Sequence, residues 1–172
     1  NEAKNKGLKL LGIVEHDQGI PGTCNPIYFK NLGVVPRKIN DVNLLLGIEI
    51  NILDYDGKLS IDDDLYKYVD YCMAGIHLQC YQAGTIEQNT RAVIETIKNP
   101  HISVIVHPDD GNCPLDYQRV VLAAKKYHTL LEVNNNIKGI FLNLNESNTN
   151  EILGNKTIKI YGDDYITETI GD

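Results

Sequence analysis

Three histidines and one glutamate, His16, Glu49, His77 and His107, stand at the exits of short apolar runs. The runs are Leu8 to Val14, Leu44 to Ile48, Val69 to Ile76 and Ile102 to Val106, each with the length and composition of a buried β-strand. Imidazole and carboxylate are metal-ligand types, and this is a metal-like number of them. Glu49 is informative alone, because it interrupts Leu44-Leu45-Leu46-Gly47-Ile48-Glu49-Ile50, whose other members read as buried. A carboxylate there needs a cation or hydrogen-bond donors, since burial without either costs several kcal/mol. A metal ion would satisfy it, and so would a nearby Lys or Arg. His101 opens a strand and His128 closes a helix, so both are expected on the opposite face, away from the chemistry.

The elements that must position these groups alternate strand and helix. The start, as far as Gly7, reads as the last turns of a helix feeding the first strand, which suggests sequence upstream. A turn-rich loop, Asp17 to Pro26, and a short helix near Tyr28 to Leu32 follow. Val42 to Ile52 is the second strand, and Gly57 closes a tight turn after it. Asp62-Asp63-Asp64 suits the N-terminus of a short helix. The third strand ends at His77, and Thr85 caps a helix through Ile97 that Asn99-Pro100 breaks. After the fourth strand, a helix from about Asp116 to Tyr127 and a strand from Thr129 to Val133 complete the pattern. Periodicity fades from Ile137 to Lys156, and a last strand, Thr157 to Tyr161, leads to Asp163. In repeated β-then-α folds the carboxyl ends of parallel strands converge on one face, where chemistry is placed.

Bulk properties narrow the function. With 172 residues, 42% hydrophobic and 23% charged, the chain suits one globular domain and is short for a complete eight-stranded barrel. A net charge of −7 disfavours a nucleic-acid partner but leaves room for a small anionic substrate bound through metal ions. Cys24, Cys72, Cys80 and Cys113 form no CxxC pair and no disulfide framework, so a cytoplasmic location is expected. No apolar stretch is long enough to span a membrane. GxGxxG, Walker, GxSxG and HExxH motifs are all absent. Asn134 and Asn135, at the exit of the fifth strand, could orient ligands or bind substrate, and Asp163 could be a ligand or a turn residue.

Several motifs carry a family likeness. They are Lys6-Gly7-Leu8 with Val14-Glu15-His16, Pro21-Gly22, Tyr28-Phe29-Lys30-Asn31-Leu32 and Val35-Pro36-Arg37. Gly47 to Ile52 with Asp54-Tyr55-Asp56-Gly57, Ala74-Gly75-Ile76-His77, and Gly84-Thr85 through Asn89-Thr90-Arg91-Ala92 follow. Val106-His107-Pro108 and Glu132-Val133-Asn134-Asn135 complete them. Across roughly residues 3–136 the chain resembles the polymerase and histidinol phosphatase (PHP) superfamily, most closely its YcdX-like phosphatase branch. The resemblance implies an α/β fold, a distorted (β/α)7 TIM-like barrel, incomplete here, in a single domain over 1–172 that lacks the first strand and diverges at 137–160. It also implies a metal-dependent phosphoesterase acting on small phosphate esters through a centre of up to three zinc or manganese ions. By that likeness His16 serves one metal, Glu49 bridges two others, His77 and His107 complete one of these, and Asp163 is a further ligand. Asn134, Asn135, Arg37 and Arg91 become candidate substrate contacts.

The chain departs from the family in its opening. The His-x-His motif and the histidine after it are absent, Cys24-Asn25 stands where Pro-His is common, and Tyr165 replaces the closing histidine. Fewer ions are therefore expected, with the Glu49/His77/His107 position retaining its protein ligands, and little or no turnover. A degenerate PHP domain that binds without catalysing is the alternative, and another barrel metallohydrolase such as an amidohydrolase is a third reading. The substrate and the oligomeric state are not legible.

Overall fold

Alternation along Val42–Ile52 organises the molecule. Val42, Leu44, Leu46, Ile48, Ile50 and Ile52 are buried, whereas Asn43 and Leu45 between them are exposed. A strand with period two that buries one set of positions has one face covered. In this computed structural model, which describes residues 2–132 in full and the strands at 139–144 and 156–162, helices and loops supply that cover.

The first unit, residues 1–132, begins with a short helix α1 (Glu2–Asn5) and strand β1 (Leu10–His16). Helix α2 (Pro26–Lys30) and a 3-10 turn, Asn31–Val34, precede a two-residue strand β2 (Lys38–Ile39) and then β3 (Val42–Ile52). A second 3-10 turn, Asp63–Tyr68, leads to β4 (Tyr71–Ile76), α3 (Ile86–Ile97), β5 (Ile102–Ile105), α4 (Tyr117–Tyr127) and β6 (Leu130–Leu131). The sheet order is β1-β3-β4-β5-β6, all parallel, with β2 antiparallel to β3. The molecule is thus an α/β protein built on a parallel sheet.

Local chemistry explains the elements. Thr85 caps α3 as expected, accepting from the Gln88 N–H, and the structure adds a reciprocal bond in which the Thr85 N–H donates to Gln88 Oε1. Asn25 caps α2 by accepting from the Ile27 N–H at 3.0 Å, so that helix starts two residues before the expected Tyr28. Strand β2 was not anticipated. Its turn into β3 uses Asn40 and Asp41 at φ of 50° and 66°, which are the residue types that tolerate a two-residue hairpin turn after glycine. Ile48, Ile50 and Ile52 of β3 lie beside Cys72, Ala74 and Ile76 of β4, and all six pack in one core with Phe29, Leu65, Val93, Ile97 and Val120.

The opposite face of the sheet carries Gly12, Val14 and His16 of β1 beside Leu45, Gly47 and Glu49 of β3, with Tyr71, Met73 and Gly75 of β4 next to them. Tyr71 lies across this face against Gly12 and Gly47: a Cβ added at Gly47 would stand 2.6 Å from its ring.

The second unit, residues 133–172, contains β7 (Gly139–Leu144) and β8 (Lys156–Gly162), paired antiparallel. The expected last strand is present as β8, but β7 falls in the stretch where the sequence shows little periodicity. Among the described residues no helix is long and apolar enough to cross a membrane.

Candidate metal centre

Parallel register brings the first two groups together. His16, the last residue of β1, pairs directly with Glu49 on β3, so their side chains leave the same face of neighbouring strands. His77 follows the end of β4, and His107 lies two residues past β5. The structure gathers all four around one atom, Oε1 of Glu49. His77 Nε2 is 3.1 Å from it, His107 Nε2 3.7 Å and His16 Nδ1 3.8 Å. The Nε2 atoms of His77 and His107 are 3.1 Å apart. Glu49 and His77 are largely enclosed, with 14% and 11% of their side chains exposed, while His16 and His107 form the accessible side at 41% and 38%.

Donor spacing tests whether an ion fits. Bonds of about 2.0–2.1 Å in a tetrahedral site put ligand atoms about 3.3 Å apart. The Glu49–His77–His107 triangle has sides of 3.1, 3.7 and 3.1 Å, close to that value. His16, Glu49 and His77 also form a group whose ligand atoms all lie within 4.8 Å of one another. The His16 Nδ1 atom is buried, faces the carboxylate and has no hydrogen-bond partner among the described residues, as an atom with a lone pair reserved for a metal would. Ligand types, distances and this orphaned nitrogen fit a divalent cation.

Electrostatics follow from the same crowding. Burial alone would raise the Glu49 carboxyl, but the imidazoles of His107 and His77, with the charge of His16, outweigh it and pull it to about 2. The Glu49 carboxylate in turn raises His107, against the opposing effect of its own burial. A lowered acid stabilises the fold above its ordinary value near 4.5 and loses that contribution as pH falls toward 2. A raised base stabilises below its ordinary value of 6.5 and loses the contribution as pH climbs through its raised value. In the metal-free chain the pair should therefore contribute most between about pH 4.5 and 6.5. Thermal melts in chelator from about pH 3 to about pH 9 check this. The difference between wild type and Glu49→Gln should peak in that window, and a difference independent of pH would refute the pairing.

Arg37 and Arg91, described candidates for substrate contact, have partners of their own. Arg37 donates from Nη1 to the carbonyls of Leu32 and Val35, both at 2.8 Å, and from Nε to Asp70 at 2.7 Å. Its guanidinium thus braces the approach to β3 and β4. Arg91 is paired with Asp56 on the exposed side of α3. The ring of His101 stacks on Tyr66 with centroids 4.2 Å apart, and His128 ends α4 at a φ of 61°. Asn134, Asn135, Asp163 and Tyr165 lie outside the described residues. All four cysteines are free, and burial pushes the Cys72 thiol up to about 12, far from a reactive thiolate.

The sequence reading missed three supports of the centre. Asp17, fully buried beside His16, accepts from Ser60 Oγ at 2.8 Å, and its amide donates to the Glu49 carbonyl at 2.8 Å. Asn51 ties this loop down by donating from Nδ2 to the Gln18 carbonyl and to Ser60 Oγ. Glu132 accepts the His107 amide at 2.9 Å. The signal that singles out Glu49, a carboxylate ending an apolar run, is equally present in Leu130-Leu131-Glu132-Val133.

No protein-family model matches the chain. It is 46% identical over 134 residues to a probable phosphatase of Caldicellulosiruptor bescii, covering 78% of this chain and 56% of that protein. A probable phosphatase of Thermoanaerobacter sp. is 40% identical over 135 residues, covering 78% of this chain and 55% of its own length. One from Clostridium botulinum is 40% identical over 134 residues, with 78% and 55% covered. The chain spans a little over half the length of the curated relatives it matches. The residues around Glu49 therefore belong to a chain that is similar, over most of its length, to bacterial proteins named probable phosphatases.

Proposed function

We propose that the chain serves as a metal-dependent phosphoesterase acting on small phosphate esters, with Glu49, His77 and His107 holding one zinc or manganese ion and His16 serving a neighbouring one. The donor triangle around Glu49 Oε1 carries this reading, because its sides match the ligand spacing of a divalent cation. The names of the relatives supply the reaction class. When bound, such an ion polarises a phosphoryl oxygen and acidifies a coordinated water.

The chain's own residues supply the rest. Glu49 places a permanent negative charge at the centre, where burial strengthens its pull on a cation. His77 is enclosed and sets the back of the site, while the accessible edges of His16 and His107 face incoming substrate. The net charge of −7 makes a small anion held through metal a better substrate than a nucleic acid. Asp163 as a further ligand, with Asn134 and Asn135 as substrate contacts, completes the proposal, and so do a PHP-type barrel and a cytoplasmic location. The parallel order β1-β3-β4-β5-β6 supports the barrel, since parallel strands alternating with helices are its building unit.

Metal analysis and phosphatase assay test the reading together. The purified chain should retain zinc in stoichiometric amount and lose it in His77→Ala and His107→Ala. Added zinc or manganese should produce slow hydrolysis of an aryl phosphate, absent in His107→Ala. Stoichiometric zinc in both variants would remove the metal centre. Zinc lost as expected, without any hydrolysis by the wild type, would leave a metal-binding module in place of an enzyme.

A further inference from the structure

His107 is the strained member of the centre. Its φ of 33° lies in the left-handed region, where a residue with a side chain is strained and persists only if its surroundings over-determine it. Two features at this point do so. The ring lies against the backbone of Gly75, where an added Cβ would stand 2.9 Å from Cε1 and 3.1 Å from Nε2, so only glycine lets it approach β4 so closely. The His107 amide donates to Glu132 Oε2 at 2.9 Å. Glu132 is itself anchored, because its own amide donates to the Ile105 carbonyl at 2.8 Å, on the strand whose exit His107 forms. Its carboxylate therefore sits at a defined height beside the chain at His107.

We infer that Glu132 is a positioning residue for the candidate metal centre: by accepting the His107 amide it holds the strained backbone that aims the imidazole at Glu49 and His77. The inference rests on the proposed role of His107 in binding metal. A left-handed residue directs its side chain differently from one in the extended region. Without the carboxylate the backbone at His107 is free to relax toward negative φ and carry Nε2 away from its 3.1 Å approach to His77. A residue that only extended the β5–β6 pairing would act through its backbone, and its side chain would be dispensable.

The test compares Glu132→Ala, Glu132→Gln and His107→Ala in the full chain, by zinc affinity against a chromophoric chelator and by the ring resonance of His107 in the metal-free protein. Glu132→Ala should weaken zinc about 10- to 100-fold, the range usual for loss of a group that orients a ligand. It should also shift the His107 ring signal while leaving the melting temperature nearly unchanged. Glu132→Gln keeps an acceptor oxygen and should restore both. Wild-type affinity in Glu132→Ala, alongside weakened binding in His107→Ala, would overturn the inference and spare the metal centre. Unchanged affinity in His107→Ala would overturn the metal reading itself. The ring signal then decides alone whether Glu132 positions His107: an unmoved resonance in Glu132→Ala refutes it.

Discussion

Glu49→Gln should weaken zinc binding by at least about 100-fold, equivalent to about 2.7 kcal/mol, without unfolding the chain. The substitution preserves shape, so the packing of β3 is undisturbed, but it removes the negative charge that, among the described residues, faces all three imidazoles. A carboxamide oxygen is a weak ligand for zinc, and a divalent ion surrounded by neutral donors alone loses the attraction that a partly enclosed carboxylate supplies. A smaller opposing effect comes from His107. With the carboxylate gone its proton is held less tightly, so metal competes with fewer protons near neutral pH. Loss of the ligand should dominate, because the carboxylate supplies both a donor atom and the charge that attracts the ion. Titration against a chromophoric chelator at about pH 7.5 measures the difference. Wild-type affinity in the variant would show that the carboxylate is not a ligand.

The largest effect on the fold should come from Gly47→Ala. A Cβ there would lie 2.6 Å from Cζ of Tyr71 and 2.7 and 2.9 Å from the two Cε atoms, distances that real Cβ contacts do not tolerate. The ring cannot easily slide away, because its hydroxyl end already lies over Gly12, whose own added Cβ would be 2.8 Å from the oxygen. Either Tyr71 leaves its rotamer or β3 shifts against β4, which carries that ring. Overpacking of this kind costs about 1–3 kcal/mol, which for a chain of this size lowers the melting temperature by about 3–10 °C. The same displacement threatens the candidate centre, since Gly47 pairs with Val14, two residues before His16. A double-mutant cycle isolates the cause: in a Tyr71→Leu background the added methyl should cost markedly less. An equal penalty in both backgrounds would place the strain somewhere other than the ring.

Much of this architecture is written locally. Thr85 with Gln88, the alternation of Val42–Ile52 and the turn at Gly57 depend on groups a few residues apart, so hydrogen bonding and period can be read along the chain. The expectation that His16, Glu49, His77 and His107 share one end of a sheet came from the same kind of reading. Parallel strands release their exits on one face, and a polar residue ending an apolar run marks such an exit. Where local signals are faint the reading fell short. Strand β2 is two residues long with an Asn-Asp turn, and β7 sits in a stretch without clear period.

Residue types and spacing mark which residues stand at strand exits, and they require a buried carboxylate among them to meet positive charge or donors. Which atoms meet depends on strand register and packing. The fold set the single oxygen of Glu49 facing three imidazoles and turned Arg37 to carbonyls and Asp70. It also bent His107 to a positive φ against Gly75 under the hold of Glu132. The contacts at Glu49 and His107 join residues 25 or more apart, and their geometry depends on how whole strands register and how closely backbones approach. No short-range pattern records that, because the same residue types at the same spacing would permit other registers until packing selects one.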